Sequence, residues 1–167
     1  MLSNPDITEE LRDERLNQKL MEAYQQKQDG AFYEALQGYT AVLEDAFLKD
    51  AKIEKHVFMR YNAHKNCGEV YEKIENLHLA KYHYTQALKI KQQDSFVWTR
   101  LGHIEFDHFG DLKLAQACFD AAAKTLSTLE KRGMKMNAIL KKLAEVSFLL
   151  YDFRTSESLV DTLIRRC

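Results

Sequence analysis

The sequence predicts an all-α protein built from about four stacked helical hairpins, and three observations lead to this prediction. Gly68 and Gly102 lie 34 residues apart, and similar residues follow each of them in the same order. The single proline is Pro5, so later helices meet no proline break. Apolar residues recur at helical spacing along most of the chain. A period of this length is typical of proteins made of repeated helical hairpins.

The repeat is clearest in the second and third hairpins. Gly68 is followed by Asn76, Ala80, Tyr84 and Ala87. Gly102 is followed by Gly110, Ala115, Phe119 and Ala122, with one extra residue between Gly110 and Ala115. We expect the small residues to let the two helices of a hairpin approach closely. We expect Tyr84 and Phe119 to fill the gap between one hairpin and the next.

Turn signals and apolar stripes place the four hairpins at about 16–45, 57–92, 95–127 and 134–166. Residues 1–15 are polar and acidic, and we predict a flexible lead-in there. Residues 46–56 are highly charged and exceed the repeat length, which predicts an insertion at the surface because stacking faces cannot absorb extra residues. Asp94 followed by Ser95 predicts the N-cap of the helix that opens the third hairpin.

Composition argues against several kinds of partner. The formal net charge is −1, so no overall field attracts nucleic acid or an anionic membrane, and we expect neither. No apolar run approaches the roughly 18 residues of a membrane span. The three cysteines are widely spaced and form no CxxC motif, which indicates a reducing compartment, the cytoplasm or the nucleus.

Two segments resemble the tetratricopeptide repeat (TPR). The motifs are Trp98-x-x-Leu101-Gly102 with Ala115-x-x-x-Phe119-x-x-Ala122, and His64-x-x-Cys67-Gly68-x-x-Tyr71 with Ala80-x-x-x-Tyr84-x-x-Ala87. The resemblance covers most of residues 16–166, although the first and fourth hairpins are degenerate copies. Glu105 stands where a tyrosine is usual, and neither copy ends in the usual proline. The resemblance implies a right-handed superhelix that binds other proteins.

A narrower resemblance involves three features in order. These are the segment 32–39 (FYEALQGY), the charged insertion, and the segment 61–66 (YNAHKN) leading to 96–103 (FVWTRLGH). This arrangement resembles the N-terminal part of the large calcineurin-binding/histone-regulator scaffold family, a subunit of HIRA-type histone chaperone complexes. It implies a nuclear interaction module whose partners are other complex subunits or histones. Two alternatives are a cytosolic adaptor that binds an extended peptide in its groove and a small regulatory subunit of an enzyme.

The first helices of the hairpins are expected to line a concave groove that accepts a peptide or a helix. The predicted partner-binding residues are Tyr24, Asn62, Lys65, Asn66, Glu69, Lys73, Phe96, Thr99, Arg100, His103 and Phe106. In the fourth hairpin we expect Lys141, Glu145 and Phe148 to face the same way. The alternative is a solvated inner face whose aromatic residues pack on their neighbours.

A carboxylate clamp of the chaperone-binding type is not supported. Asn66 and Arg100 match two of its positions, but Leu20, Tyr24 and Phe96 stand at others. The charge needed to hold two carboxylates is therefore missing.

The sequence predicts no metal, no cofactor and no catalytic site. His103 and His108, like His78 and His83, are five residues apart, a spacing that places them on different helix faces. His64 and Cys67 match core positions of the repeat. Phosphate-loop, nucleophile-elbow and zinc-protease motifs are absent from the sequence, so we predict that the chain is not an enzyme.

Two further segments near the C-terminus could contact a partner, one basic and one apolar. The basic residues Lys131, Arg132, Lys135, Lys141 and Lys142 could meet an acidic protein or a phosphate, but a solvated linker is the favoured interpretation because no aromatic residues alternate with them. The last helix carries Leu159, Val160, Leu163 and Ile164, an apolar stripe on which another subunit could dock.

Overall fold

The computed structural model describes residues 5–45, 48, 53–126 and 133–166. Its helices are α1 (Pro5–Gln28), α2 (Phe32–Glu44), α3 (Glu54–Lys73), α4 (Leu77–Ile90), α5 (Ser95–Ile104), α6 (Leu112–Thr125), α7 (Met134–Leu149) and α8 (Phe153–Arg166). A π-helical turn, Glu105–Phe109, follows α5 directly. No β-strand occurs in this described part of the chain.

The helices pack in consecutive pairs, α1 on α2, α3 on α4, α5 on α6 and α7 on α8. The chain divides after Ile90 into two compact units, the first with α1 to α4 and the second with α5 to α8. Each unit therefore contains two helical hairpins, and the prediction of an all-α chain of TPR-like hairpins is confirmed. Within each unit the two hairpins also contact each other, α2 on α3 and α6 on α7.

Each unit has its own core of small and large apolar side chains. The first core includes Leu16, Ala23, Ala35, Tyr39, Val42, Met59, Ala63, Cys67 and Val70. The second core includes Ala115, Phe119, Ala122, Leu126, Ile139, Leu140, Leu143 and Val146. Trp98 packs on the second core while it remains partly exposed, and its indole N–H donates to the Gln92 carbonyl at 2.8 Å.

The small residues of the repeat lie directly under the aromatic rings of the same hairpin. A Cβ at Gly68 would lie 2.6 Å from the Tyr84 ring, and a Cβ at Gly102 would lie 2.9 Å from the Phe119 ring. Both rings fill space within their own hairpin, because the missing Cβ leaves room for a ring there. Phe119 also belongs to the core that includes Ile139 of the fourth hairpin, which agrees with the expectation of a ring between hairpins. For Tyr84 that expectation stays a prediction.

Each hairpin turn contains one residue in the left-handed backbone region, namely Gly30, Glu75, Gly110 and Tyr151. In the last three hairpins an Asn or Asp follows this residue and caps the next helix: Asn76 accepts from the Leu79 N–H, Asp111 from Leu114 and Asp152 from Thr155. Such caps satisfy N–H groups that the first helical turn cannot pair. Asp94 caps α5 in the same way, as predicted, by accepting from the Val97 N–H at 3.1 Å.

The extra residue of the third hairpin lies in the π-helical turn before Gly110. The interval from the small residue to the left-handed residue is seven in the second hairpin (Gly68 to Glu75) and eight in the third (Gly102 to Gly110). A π-turn takes up one additional residue per turn. Gly110 therefore corresponds to Glu75, and the expectation that the extra residue follows Gly110 is wrong.

The N-terminal segment is helical from Pro5, and α1 is continuous through the region where we expected a flexible lead-in. Asp13 explains part of this order, since its two carboxylate oxygens contact His56 Nε2 at 2.7 Å and Lys55 Nζ at 2.9 Å on α3. Burial raises the pKa of Asp13, but the hydrogen bonds and charges of Lys55 and His56 outweigh this and bring the pKa below its usual value. Most of the predicted insertion 46–56 lies outside the described residues.

Candidate partner-binding surfaces

The second unit contains a pocket of about 530 Å³ between α5 and α7. Four predicted groove residues on α5 line it: Phe96, Thr99, Arg100 and His103. Their spacing is three, four and seven residues, which places them on one face of the helix. The structure therefore brings together these four of the eleven predicted residues.

The opposite wall comes from α7 and is basic. Lys135, Lys141 and Lys142 line the pocket together with Glu145, and Lys142 pairs with Glu145 at 3.1 Å. The interpretation of this basic stretch as a solvated linker is therefore wrong for these three lysines, whereas Lys131 and Arg132 lie outside the described residues. Lys135 and Lys142 are seven residues apart, so their spacing predicts a shared helix face, but it does not predict that this face meets α5.

The floor of the pocket is apolar. Phe119 and Ile139 belong to the buried core, and Leu126 at the end of α6 closes the base. The Phe96 side chain is 44% exposed and offers a further apolar surface among the residues that line the pocket. The pocket thus combines basic side chains with an apolar base.

The His103 side chain contacts both the apolar floor of the pocket and an acidic residue of the neighbouring turn. Its ring meets the Phe119 ring edge-on at 5.3 Å, and its Nδ1 lies 3.4 Å from the Asp107 carboxylate. Burial lowers the pKa of His103, and the charges of Lys142 and Arg100 act in the same direction against the opposing effect of Asp107. The imidazole is therefore neutral near pH 7.

Phe106 is placed differently from its four predicted companions. It packs against the second core, and Lys142 Nζ lies 4.7 Å from the centre of its ring. Phe106 therefore supports the α7 wall from behind, which matches the alternative expectation of an aromatic residue that packs on its neighbours.

In the first unit, several predicted groove residues form a polar network around Lys27. Lys27 Nζ donates to Asn66 Oδ1 at 2.6 Å and to Glu69 Oε2 at 2.7 Å, and it lies 5.0 Å from the centre of the Tyr24 ring. Asn66 in turn donates to the Asn62 carbonyl at 2.8 Å. These contacts link α1 to α3, so the network stabilises the first unit from within.

The two remaining predicted residues, Lys65 and Lys73, lie elsewhere on α3. Lys65 Nζ is 5.9 Å from the centre of the Tyr61 ring, and Lys73 is exposed in the last turn. Their role in partner binding stays a prediction.

His64 and His83 meet although they are far apart in the sequence. Their Nδ1 atoms are 3.0 Å apart, and the Tyr71 ring stacks on His83 at 5.3 Å. Burial lowers the pKa of each histidine to about 4, and for His64 the charges of His83 and Arg60 contribute as well. Two nitrogens are not a metal site, and the described residues contain no group of three or more suitable ligands.

The end of the second unit exposes a row of large apolar side chains, which we name the C-terminal apolar surface: Phe148, Tyr151, Phe153, Val160 and Ile164. The Phe148 and Phe153 rings are 5.6 Å apart. Leu159 and Leu163 instead pack on the core. Of the four apolar residues predicted to form an exposed stripe on the last helix, only Val160 and Ile164 are exposed. Aromatic residues at the turn between α7 and α8 extend this exposed apolar surface.

None of the helices in the described ranges is long and apolar enough to cross a membrane. Comparison with known families gives one decisive result. Residues 13–166 match the family described as the CABIN1 N-terminal domain. The chain belongs to the CABIN1 N-terminal domain family. The narrower of the two resemblances noted in the sequence is thereby confirmed.

Solved structures similar to this CABIN1 N-terminal domain share its fold at low sequence identity. BtubC from P. vanneervenii has 18% identity and a TM-score of 0.65, over 90% of this chain and 62% of BtubC. The C-terminal TPR-containing domain of a Plasmodium falciparum FK506-binding protein has 19% identity and a TM-score of 0.65, over 85% of this chain and 92% of that domain. MamA from AMB-1 has 12% identity and a TM-score of 0.54, over 92% of both chains. Curated proteins give no match to the sequence.

These comparisons place the CABIN1 N-terminal domain among TPR-type folds, and the TPR resemblance is confirmed. Folds of this type are scaffolds for protein–protein interaction and are generally non-catalytic. The TPR-type fold of this chain supports a role as an interaction scaffold for other proteins.

Proposed function

We propose that this chain is a scaffold module of a nuclear histone chaperone complex of the HIRA type. Membership of the CABIN1 N-terminal domain family over residues 13–166 is the observation that carries the proposal. The resemblance that pointed to this family implies a subunit of such complexes, and subunits of large complexes commonly dock through helical repeats.

The second unit supports this proposal with two surfaces of different chemistry. The pocket between α5 and α7 has basic walls and an apolar floor. In the C-terminal apolar surface, Tyr151 is 81% exposed. Exposed apolar patches of this kind usually mark protein interfaces. One surface can hold a peptide segment while the other packs against a folded subunit or a histone-bearing partner.

Co-elution with purified subunits tests the proposal. The full chain, carrying an affinity tag, is mixed with each HIRA-type subunit and separately with histone H3–H4. We expect one or more subunits to be retained at micromolar concentration. If neither the subunits nor the histones are retained, the proposed function is wrong.

Two variants then locate the interface. Val160→Ser with Ile164→Ser makes part of the C-terminal apolar surface polar while leaving the partly buried Leu159 and Leu163 in place. Lys135→Glu with Lys141→Glu reverses charge on the pocket wall. Retention that survives both pairs would place the interface in the first unit.

The second candidate function is a cytosolic adaptor that binds an extended peptide. The pocket of about 530 Å³ favours it, because a preformed concave site suits a side chain of a flexible partner. Imaging of the tagged chain in cells separates the candidates, since the first requires nuclear accumulation together with the other subunits and the second requires a cytoplasmic distribution.

A further inference from the structure

We infer that the pocket between α5 and α7 binds an acidic peptide segment that carries one apolar side chain. This inference rests on the proposed scaffold function and names the chemistry of the partner at one site. Carboxylates of the segment would lie along the basic walls, and its apolar side chain would enter between them onto the floor.

Charge is the first argument. Among the described residues that line the pocket, Arg100, Lys135, Lys141 and Lys142 are basic, and Glu145 is the acidic one. Glu145 pairs with Lys142 at 3.1 Å, and the basic side chains that line the pocket outnumber this one carboxylate. The whole chain has a net charge of −1, so this concentration of positive charge is local and does not follow from a basic composition.

Helix geometry adds to this charge. Lys135 is the second residue of α7 and lines the pocket, and the N-cap residue of α7, Gly133, provides no side-chain hydrogen bond to the first turn. The first turn of a helix carries partial positive charge from its unpaired N–H groups, which favours an anionic group nearby.

The apolar floor decides between a peptide and other anions. The floor consists of Phe119, Leu126 and Ile139, which offer no polar partner to a free phosphate or a sugar–phosphate backbone. An apolar side chain would be buried favourably against the same residues. Binding of single-stranded nucleic acid uses successive aromatic platforms, and Phe96 is the one exposed aromatic residue among the described lining residues. The volume of about 530 Å³ lies within the range of roughly 300–1,000 Å³ typical of ligand sites.

The inference has a consequence for the proposed complex. A basic histone tail would be repelled by Arg100 and the three lysines, so histones would contact this chain elsewhere. The partner at the pocket is then an acidic segment of another subunit.

Fluorescence anisotropy with three synthetic peptides tests the inference on the full chain. The probe peptide has one leucine flanked on both sides by runs of aspartate and glutamate. The second peptide replaces the leucine by serine, and the third replaces the acidic residues by lysine. We expect the probe to bind at least tenfold more tightly than either, and binding should weaken as salt rises.

Matched variants assign the binding to the pocket. Lys135→Glu with Lys141→Glu should weaken probe binding at least tenfold, and Ala138→Phe should do the same by filling the pocket from the exposed Ala138. Lys113→Glu with Lys124→Glu changes the net charge equally at exposed positions of α6 outside the pocket, and should leave binding within about twofold. Circular dichroism checks that each variant is folded.

Several outcomes would overturn the inference. They are equal binding of the serine or lysine peptide, equal loss in the α6 variant, no binding of the probe at submillimolar concentration, or a single-stranded oligonucleotide or inorganic phosphate that binds as tightly as the probe. If the probe fails while the subunits still co-elute with the chain, the proposed function stands and this inference falls.

Discussion

The ring of Tyr84 occupies the space beside Gly68 that a Cβ would need. Such a Cβ would lie 2.6 Å from both Cδ1 and Cε1 of Tyr84, closer than carbon atoms approach without displacement. Tyr84 is fully buried, and its hydroxyl donates to Glu72 Oε2 at 2.9 Å, so the ring is held at both ends. Gly102 and Phe119 repeat the arrangement in the third hairpin at 2.9 Å. The glycine of the repeat is therefore a packing residue.

We expect Gly68→Ala to destabilise the chain by about 1–2 kcal/mol. Alanine in a helix gains about 1 kcal/mol over glycine, but overpacking a core costs about 1–3 kcal/mol, and the buried ring has little room to move. Urea unfolding followed by circular dichroism measures the change. Tyr84→Leu in the Gly68→Ala background should recover part of the loss, and an alanine variant as stable as the parent would contradict the packing role.

Glu75→Gly should stabilise the chain by up to about 1 kcal/mol. Glu75 has φ 61° in the turn between α3 and α4, a conformation that costs a residue with a Cβ about 1–2 kcal/mol, while the greater freedom of glycine in the unfolded chain offsets part of the gain. Gly110→Ala should instead destabilise the chain, because it places a Cβ at φ 67°.

A helical position provides the control for this prediction. Glu157→Gly in the middle of α8 is exposed and should lose about 0.5–1 kcal/mol. If both glutamate-to-glycine changes destabilise equally, the turn is not strained.

Lys27→Met should destabilise the first unit by about 2 kcal/mol, because it leaves the Glu69 carboxylate without the Lys27 ammonium at 2.7 Å. The Lys27 side chain is 11% exposed, so the pair is partly screened from water, and hydrogen bonds to charged groups contribute about 1.5–3 kcal/mol. Glu69→Leu should cost a similar amount, and the double variant should cost less than the sum of the two. Denaturant unfolding of all three variants gives the coupling energy.

Lys73→Met, at an exposed position of α3, is the control and should change stability by less than about 0.5 kcal/mol. If the free-energy changes of the Lys27 and Glu69 variants are strictly additive, the interaction between these two side chains contributes nothing to stability.

Acid should destabilise the chain through the histidine pair. The pKa values of His64 and His83 are lowered to about 4 by burial, while unfolded histidine titrates near about 6.5. Between these values the unfolded state binds more protons, so this contribution to stability is complete above about pH 6.5 and is lost as the pH falls towards about 4. Unfolding at several pH values in this window should show a steeper slope for the parent than for His64→Gln with His83→Gln.

The control for the pH prediction is His78→Gln with His108→Gln, since both residues are exposed. This variant should keep the slope of the parent. A parent slope that persists when His64 and His83 are both replaced would assign the acid sensitivity to other groups, such as His103.

Much of the fold was predictable because it depends on local chemistry. The turn glycines Gly30 and Gly110 and the cap at Asp94 each act within one turn, where sequence spacing fixes which groups meet. The candidate site was predictable to the same extent. Phe96, Thr99, Arg100 and His103 share a face of α5, and periodicity alone brings them together.

Contacts between separate elements could not be predicted in the same way. Sequence spacing places His78 and His83 on different helix faces and gives His83 no partner. The pair that forms, His64 with His83, joins α3 to α4 across nineteen residues. Lys135 and Lys142 face the pocket because α7 packs on α6, and charge spacing does not reveal that packing. Asp13 orders α1 because it reaches His56 on another helix.

The sequence by itself determined the repeat, the hairpin turns and the side chains that each helix shows on one face, since these follow from spacing along the chain and from local backbone geometry. Tertiary structure alone decided that Tyr84 packs on Gly68 within a hairpin, that a π-turn takes up the extra residue before Gly110, and that α5 and α7 enclose a basic pocket. These outcomes depend on which helix faces meet, and that is set by close packing of whole side chains across elements far apart in the chain.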